Sequence, residues 1–337
     1  MKTKALLLFG LFIGSFLTFT SCGDDDSGSV NLDSNLVAQW ETEVEEARQL
    51  AANSQEGSLP GDYFPGAIAQ LEEEIAKAQD IFDRATADIR IESALLVLEF
   101  ALKEFEVSLV QEAIPLFSNL ASEMLSTVPD AALSPDEFTA EFRVRLQSYD
   151  ADQIVADMVG TLNQVSGLNT SGWAIRYFTT PFANTGVVDF IIGVGPEAPF
   201  FVEPDVPDYI IPLNEWVHIA ATYNNQNMKL YIDGVKLLEF DSPLPMNPDP
   251  AGSFFRIGNS VFKDGRYTNG NIIDVRFWDV ERTEEEINDN LSDFLEPPFD
   301  HPNLKLYFPL NANLGKVLTD ETKTYKVDVA GVTWQEQ

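Results

Sequence analysis

Glu203, Asp205 and Asp208 are the carboxylates whose spacing comes nearest to acid–base work, in the string Glu203-Pro-Asp205-Val-Pro-Asp208. Hydrolysis between two sugars needs a pair of carboxyl groups facing each other, about 5 Å apart for retention and somewhat more for inversion. Pro204 and Pro207 have no N–H to give a central ladder, so this stretch reads as a loop ahead of the strand at Trp216 and carries no catalytic assignment. Nucleophilic catalysis and zinc fare no better: the two histidines, His218 and His301, are far apart, and the one cysteine, Cys22, stands near the N-terminus. His218 is expected to be structural within its strand, and His301, between Asp300 and Pro302, to mark a turn. Acid-rich loops can offer oxygen ligands to calcium (Ca2+), but no Asp-x-Asp-x-Asp-Gly spacing places a site.

Holding a neutral, polyhydroxylated ligand asks for different residues, namely flat aromatic faces beside planar hydrogen-bonding groups. Trp173, Arg176 and Tyr177 share one strand, with Trp173 and Tyr177 on the same side. Arg143 and Arg145 lie on the polar side of another, and Phe262, Arg266 and Tyr267 sit in the polar loop between Ser260 and Gly270. These eight are the candidate ligand-binding residues, with a place in the core as the competing role for Trp173 and Tyr177. The arginines could also receive a uronate or a sulfate group.

Two kinds of element position them. Leu36, Trp40, Val44, Ala47 and Ala51 recur every three or four residues, as do Ile68, Leu71, Ile75, Ala78 and Phe82, and then Ile91, Ala94, Leu98, Ala101 and Phe105. Gly, Pro and Asp separate these stripes, and Thr86 stands where it could cap the third. The expectation is a three-helix bundle over 33–112. Beyond Ile114-Pro115 the period becomes two. Phe138, Ala140, Phe142, Val144 and Leu146 alternate with Thr139, Glu141, Arg143, Arg145 and Gln147, predicting a strand with one buried and one wet face. Further alternating runs follow, Asp233-Gly234 suits a tight type I′ hairpin, and Thr283 to Glu286 spell a capping box for one short surface helix through Leu291. The fold class expected for 113–337 is an all-β two-sheet sandwich or jelly roll.

In order along the chain stand Trp-Val-His-Ile-Ala-Ala-Thr-Tyr (216–223), Met-Lys-Leu-Tyr-Ile-Asp-Gly (228–234), Phe-Arg-Ile-Gly-Asn (255–259), Gly-Asn-Ile-Ile-Asp-Val-Arg-Phe-Trp-Asp-Val (270–280) and Thr-Glu-Glu-Glu-Ile (283–287). This string resembles the laminin G-like branch of the concanavalin A-like lectin/glucanase superfamily over 113–337. The resemblance implies a curved β-sandwich whose concave sheet or edge loops meet the ligand, and a structural hydrogen bond for Asp274. It leaves lectin, adhesin and glycosidase open. The Glu-x-Asp-x-x-Glu strand of the superfamily's retaining glucanases does not occur here, so catalysis is disfavoured.

Residues 1–21 have the form of an export leader: a basic Met-Lys-Thr-Lys, then an apolar run too short for a comfortable span. Phe19-Thr20-Ser21-Cys22 resembles a bacterial lipobox, departing from the commonest form in lacking Leu three residues before the cysteine. Cys22 is therefore the expected lipidation site. Residues 22–32 form an acidic tether resembling the export tag of surface lipoproteins from glycan-foraging Gram-negative bacteria. Acids outnumber bases 54 to 21, for a net charge of -33, which repels nucleic acid and anionic lipid alike. The combined expectation is a lipid-anchored protein at the surface of the outer membrane that captures polysaccharide for importers and hydrolases. A protein-binding adhesin or assembly subunit and a divergent glycoside hydrolase are the alternatives.

Overall fold

The computed structural model describes residues 32–165, 169–180, 183–196, 201–205, 209–248, 254–260 and 265–336. The leader, Cys22, nearly all of the tether and Phe262 lie outside the described residues.

The three stripes form three helices, α1 (Ser34–Asn53), α2 (Ala67–Asp83) and α3 (Asp88–Val107). Their buried positions are those of the apolar period: Trp40, Val44, Ala47 and Ala51 meet Leu71, Ile75 and Ala78 and Ile91, Ala94, Leu98, Ala101 and Phe105 in one core. Trp40 stacks on Phe82 with ring centroids 5.0 Å apart, and burying a side chain of this size contributes about 2–3 kcal/mol. Thr86 does not cap α3. Ala87 occupies the cap position without a side-chain bond, and Asp88, one residue inside the helix, instead accepts the Asp33 N–H at 2.8 Å, tying the starts of α1 and α3 together.

Among the described residues eighteen strands follow. The first nine are β1 (Ile114–Phe117), β2 (Glu123–Ser126), β3 (Glu137–Leu146), β4 (Val155–Gly160), β5 (Asn163–Val165), β6 (Asn169–Ser171), β7 (Trp173–Phe178), β8 (Val188–Gly193) and β9 (Phe201–Val202). The rest are β10 (Val217–Asn224), β11 (Asn227–Ile232), β12 (Val235–Asp241), β13 (Arg256–Ile257), β14 (Gly270–Trp278), β15 (Leu304–Phe308), β16 (Val317–Thr319), β17 (Lys326–Ala330) and β18 (Thr333–Gln335). A short helix, α4 (Glu284–Asn288), lies between β14 and β15.

Sixteen of these strands build two antiparallel sheets that pack face to face as a β-sandwich, and β5 and β6 pair as a separate two-stranded ribbon. The first runs β12-β11-β10-β3-β14-β1-β18, with β15 also on β14; the second runs β16-β17-β2-β13-β4-β7-β8-β9. Between them lies one core, in which Phe138, Phe142, Ile219, Ile272 and Phe277 of the first sheet meet Trp173, Ile175, Tyr177 and Phe190 of the second. Asp233 and Gly234 both take positive φ, 46° and 76°, as the type I′ turn between β11 and β12 requires.

The outer face of the first sheet departs from the alternation. Thr139 and Glu141, expected to be wet, are fully buried. The chain from Val280 to Phe299, including α4, folds back over them. The Thr139 hydroxyl donates to the Val280 carbonyl at 2.8 Å, and Ile287 packs on Ala220 and Tyr231. The capping box of Thr283 and Glu286 is present, but the helix stops at Asn288 rather than Leu291.

Candidate functional site

Glu141, at the centre of that covered face, shows what the segment is fastened to. Arg282 ion-pairs with its carboxylate and His218 Nε2 lies 3.4 Å from Oε2. Burial pushes this carboxyl up, yet His218, Arg282 and Arg276 outweigh burial and bring it down to about 2. Beside it Arg276 grips Asp274 through two bonds, 3.0 Å and 2.6 Å, and donates to the Asn290 and Asp293 carbonyls of the covering segment. Arg143 lies 3.1 Å from Asp274, 4.4 Å from the Phe294 ring centroid, and donates to the Ser292 carbonyl. Asp274 thus has the structural bonding expected of it, and His218 belongs to the same framework. Arg143 is consumed in holding the segment down and is corrected from a ligand-facing residue to a framework one.

Trp173 and Tyr177 are corrected as well. Alternation along β7 turns both inward, where the Trp173 ring lies 5.1 Å from Phe138 and 5.9 Å from Phe277 and its indole N–H donates to the Leu133 carbonyl at 2.8 Å. The Tyr177 hydroxyl accepts the Asn269 N–H at 3.2 Å, and burial pushes its pKa well up. Neither ring presents a face to solvent.

Arg176, between them, points the other way, onto the outer face of the second sheet, among charges from neighbouring strands. Its Nε meets Asp189 of β8 at 2.6 Å and its Nη2 meets Glu203, just after β9, at 2.9 Å; Asp157 of β4 adds to the acidic field on it. Next along the sheet Arg256 of β13 meets Glu123 of β2 at 3.0 Å and accepts the field of Asp157 from its other side. The row Glu123, Arg256, Asp157, Arg176, Asp189, Glu203 crosses six strands or strand ends with carboxylates and guanidinium groups in alternation until its last member. All but Glu203 are buried; Glu203 is exposed. Burial, with Glu203 alongside, raises the Asp189 carboxyl to about 6 against the pull of Arg176.

One end of the sandwich adjoins this row. The Asp157 N–H donates to the Arg266 carbonyl at 2.8 Å, Asp152 N–H to Gly265, and Gln147 N–H to Asn269, so the loop carrying Arg266 and Tyr267 runs beside the segment Gln147–Ile154. Tyr149 donates to the Ile211 carbonyl and sets its ring edge-on to Tyr177 at 6.4 Å. Asp150 and Asp152 lie near enough to Tyr267 that, after burial, their charges push its hydroxyl pKa up. Arg145 stacks 4.9 Å from the Trp216 ring centroid while bonding Asn271 at 3.0 and 3.2 Å. Tyr149, Trp216 and Tyr267 are half-buried, so each keeps part of an aromatic face at the surface beside planar polar groups.

Of the candidates, Arg266 and Tyr267 lie at this rim, Arg176 lies in the adjoining row, and Arg145 lies on the outer face of the first sheet against Trp216. Sequence reasoning missed Asp157, Asp189, Arg256, Tyr149 and Trp216 as members, and it left Glu203 in a loop without a catalytic assignment. Isolated acids on alternating strands look like ordinary outward positions, and only the strand order aligns them. Among the described residues no group of three or more His, Cys, Asp or Glu is arranged to hold a metal ion.

The fold and this face define a two-sheet antiparallel β-sandwich preceded by three helices. Residues 122–288, a little under half of the chain, match a laminin G family model described as the concanavalin A-like lectin/glucanases superfamily. No curated protein is similar in sequence. Among solved structures, a protein from Bacteroides ovatus described provisionally as carbohydrate binding is 19% identical over 67% of this chain, with a TM-score of 0.49. This chain covers 60% of that protein's length. The heptameric SAP-like pentraxin of Limulus polyphemus is 12% identical, covering 67% of this chain and 95% of that one, with a TM-score of 0.45. The CBM40 domain of the Ruminococcus gnavus IT-sialidase is 14% identical, covering 55% and 98% respectively, with a TM-score of 0.41. At such identities these are likenesses of fold.

Proposed function

We propose that this protein is a lipid-anchored surface protein that binds polysaccharide without cleaving it, capturing glycan for importers and hydrolases. One observation carries the reading. Over Thr139 and Glu141 the outer face of the first sheet is covered by the Val280–Phe299 segment, whereas on the second sheet the buried carboxylate–guanidinium row ends at exposed Glu203, and the rings of Tyr149, Tyr267 and Trp216 keep part of their faces at the surface. Such a surface offers stacking for C–H-rich sugar faces and paired hydrogen bonds for hydroxyls. The lectin/glucanase family match over 122–288 supports the same class of ligand. The basic, apolar leader ending at Cys22 and the acidic tether after it support acylation and outward display.

Retardation of the purified protein in gels cast with a panel of polysaccharides, with and without calcium, tests the reading. At least one glycan is expected to bind, and Tyr267→Ala or Glu203→Gln to weaken it about tenfold, the loss of one charged hydrogen bond or stacking contact. Absence of retardation across the panel would overturn it.

A second reading, a divergent glycosidase, is favoured by one feature: Asp189, its carboxyl raised to about 6, stands next to the carboxyl group of Glu203. Against it, Arg176 grips both carboxylates and Asp189 is only 1% exposed, so the proton has no open route to a glycosidic oxygen. Release of reducing ends that disappears in Glu203→Gln would establish this reading over the first.

A further inference from the structure

The core stripe of α3 is not its only apolar face. On the side opposite Ile91, Ala94, Leu98, Ala101 and Phe105 stand Ile89, Leu96, Phe100 and Val107, exposed by 64, 52, 60 and 77%. Ser93 and Lys103 fill the gaps, so the positions 89, 93, 96, 100, 103 and 107 alternate steps of four and three, the spacing of a helix–helix seam. A lone surface helix gains nothing from four exposed aliphatic and aromatic side chains in register, and contiguous apolar surface of this kind marks an interaction site. The seam continues sideways into a cleft between α2 and α3, lined by Leu71, Val97, Phe100 and Phe105 and edged by Glu74 and Glu104.

Charge selects the occupant. Glu92, Glu99 and Glu106 follow one side of the seam and Glu104 the other, and Lys103, the one base within it, is spent on Glu99 at 2.6 Å. A second copy of this chain fits poorly: antiparallel pairing sets the Glu92, Glu99 and Glu106 row against itself, and parallel pairing sets Glu99 against Glu104. An anionic lipid surface is repelled for the same reason. A helix with an apolar seam flanked by Lys or Arg satisfies both the apolar stripe and its acidic borders.

We propose that the outward face of α3, with the α2–α3 cleft, docks a basic amphipathic helix of a partner protein, so that the helical module is a binding element as well as a spacer. The test uses the whole protein and a designed peptide of about three heptads, with Leu at the seam and Lys at the flanking positions; a second peptide carries Glu in place of each Lys. Titration followed by fluorescence anisotropy is expected to show binding of the Lys peptide that weakens at least tenfold at high salt, and none of the Glu peptide. Leu96→Glu with Phe100→Glu, both at exposed positions, is expected to abolish binding while leaving the helical circular dichroism and any polysaccharide binding unchanged. Equal binding of both peptides, no binding of the Lys peptide, or indifference to the double substitution would overturn the proposal. So would self-association, seen by sedimentation, that the same substitutions remove.

Discussion

Two buried carboxylates in this protein answer to burial in opposite ways. Around Glu141 two guanidinium groups and His218 outweigh desolvation, so the folded state releases this proton near 2 where an unfolded chain releases it near 4.5. The stability it contributes is complete above about pH 4.5 and is lost as pH falls towards 2. Glu141→Gln is expected to cost about 3–5 kcal/mol at neutral pH by leaving buried Arg282 short of its counter-charge, and to flatten the acid limb in urea unfolding at a series of pH values. Asp189 behaves the other way: its folded carboxyl keeps a proton up to about 6 against 3.8 when unfolded. Between those two values the folded state holds the extra proton, so this site makes stability decline as pH rises from about 4 to about 6. Asp189→Asn should remove that decline, and an unchanged slope in the same measurement would contradict the assignment.

At the scale of elements, the covering segment is held by α4 and by the hairpin turn beneath it. Thr283→Ala deletes the cap of α4 and is expected to cost about 1 kcal/mol, whereas Ile287→Ala leaves a cavity over Ala220 and Tyr231 and should cost about 2–5 kcal/mol. Gly234 has φ of +76°, and a Cβ there would collide with the Asn288 side-chain amide of α4. Gly234→Ala should therefore destabilise by about 1–2 kcal/mol from the left-handed backbone alone, plus the cost of displacing Asn288. Thermal unfolding of the three variants gives the ranking, and a loss for Thr283→Ala exceeding that for Ile287→Ala would show that capping rather than packing holds the segment.

For the whole molecule, the charge of -33 sets the salt dependence of any encounter. If the polysaccharide is neutral, affinity should be nearly constant with ionic strength, since stacking and uncharged hydrogen bonds carry it. A uronate-bearing or sulfated polymer would bind better as salt screens the repulsion, and calorimetry at two salt concentrations separates the two classes. Basic helices on α3 should respond in the opposite sense, so glycan and helix binding are distinguishable on one sample.

Local order was legible residue by residue. The three apolar stripes, the alternation along β3, the Asp233-Gly234 turn and the Thr283 capping box each follow from interactions spanning a few residues, where side-chain size, chirality and backbone freedom already decide the outcome. Thr86 was the exception, because a cap depends on where the helix begins, and Asp88 anchors that start against Asp33, more than fifty positions earlier. Which outward positions are wet could not be read in the same way. Thr139, Glu141 and Arg143 alternate like surface residues until a segment some 140 residues later closes over them, and Asp157, Arg176, Asp189 and Glu203 become one row only when their strands lie side by side. An alternating strand states that its two faces differ. What lies against each face is settled by strand order and by distant chain, since buried charges take their partners from whichever segments the tertiary packing brings within reach.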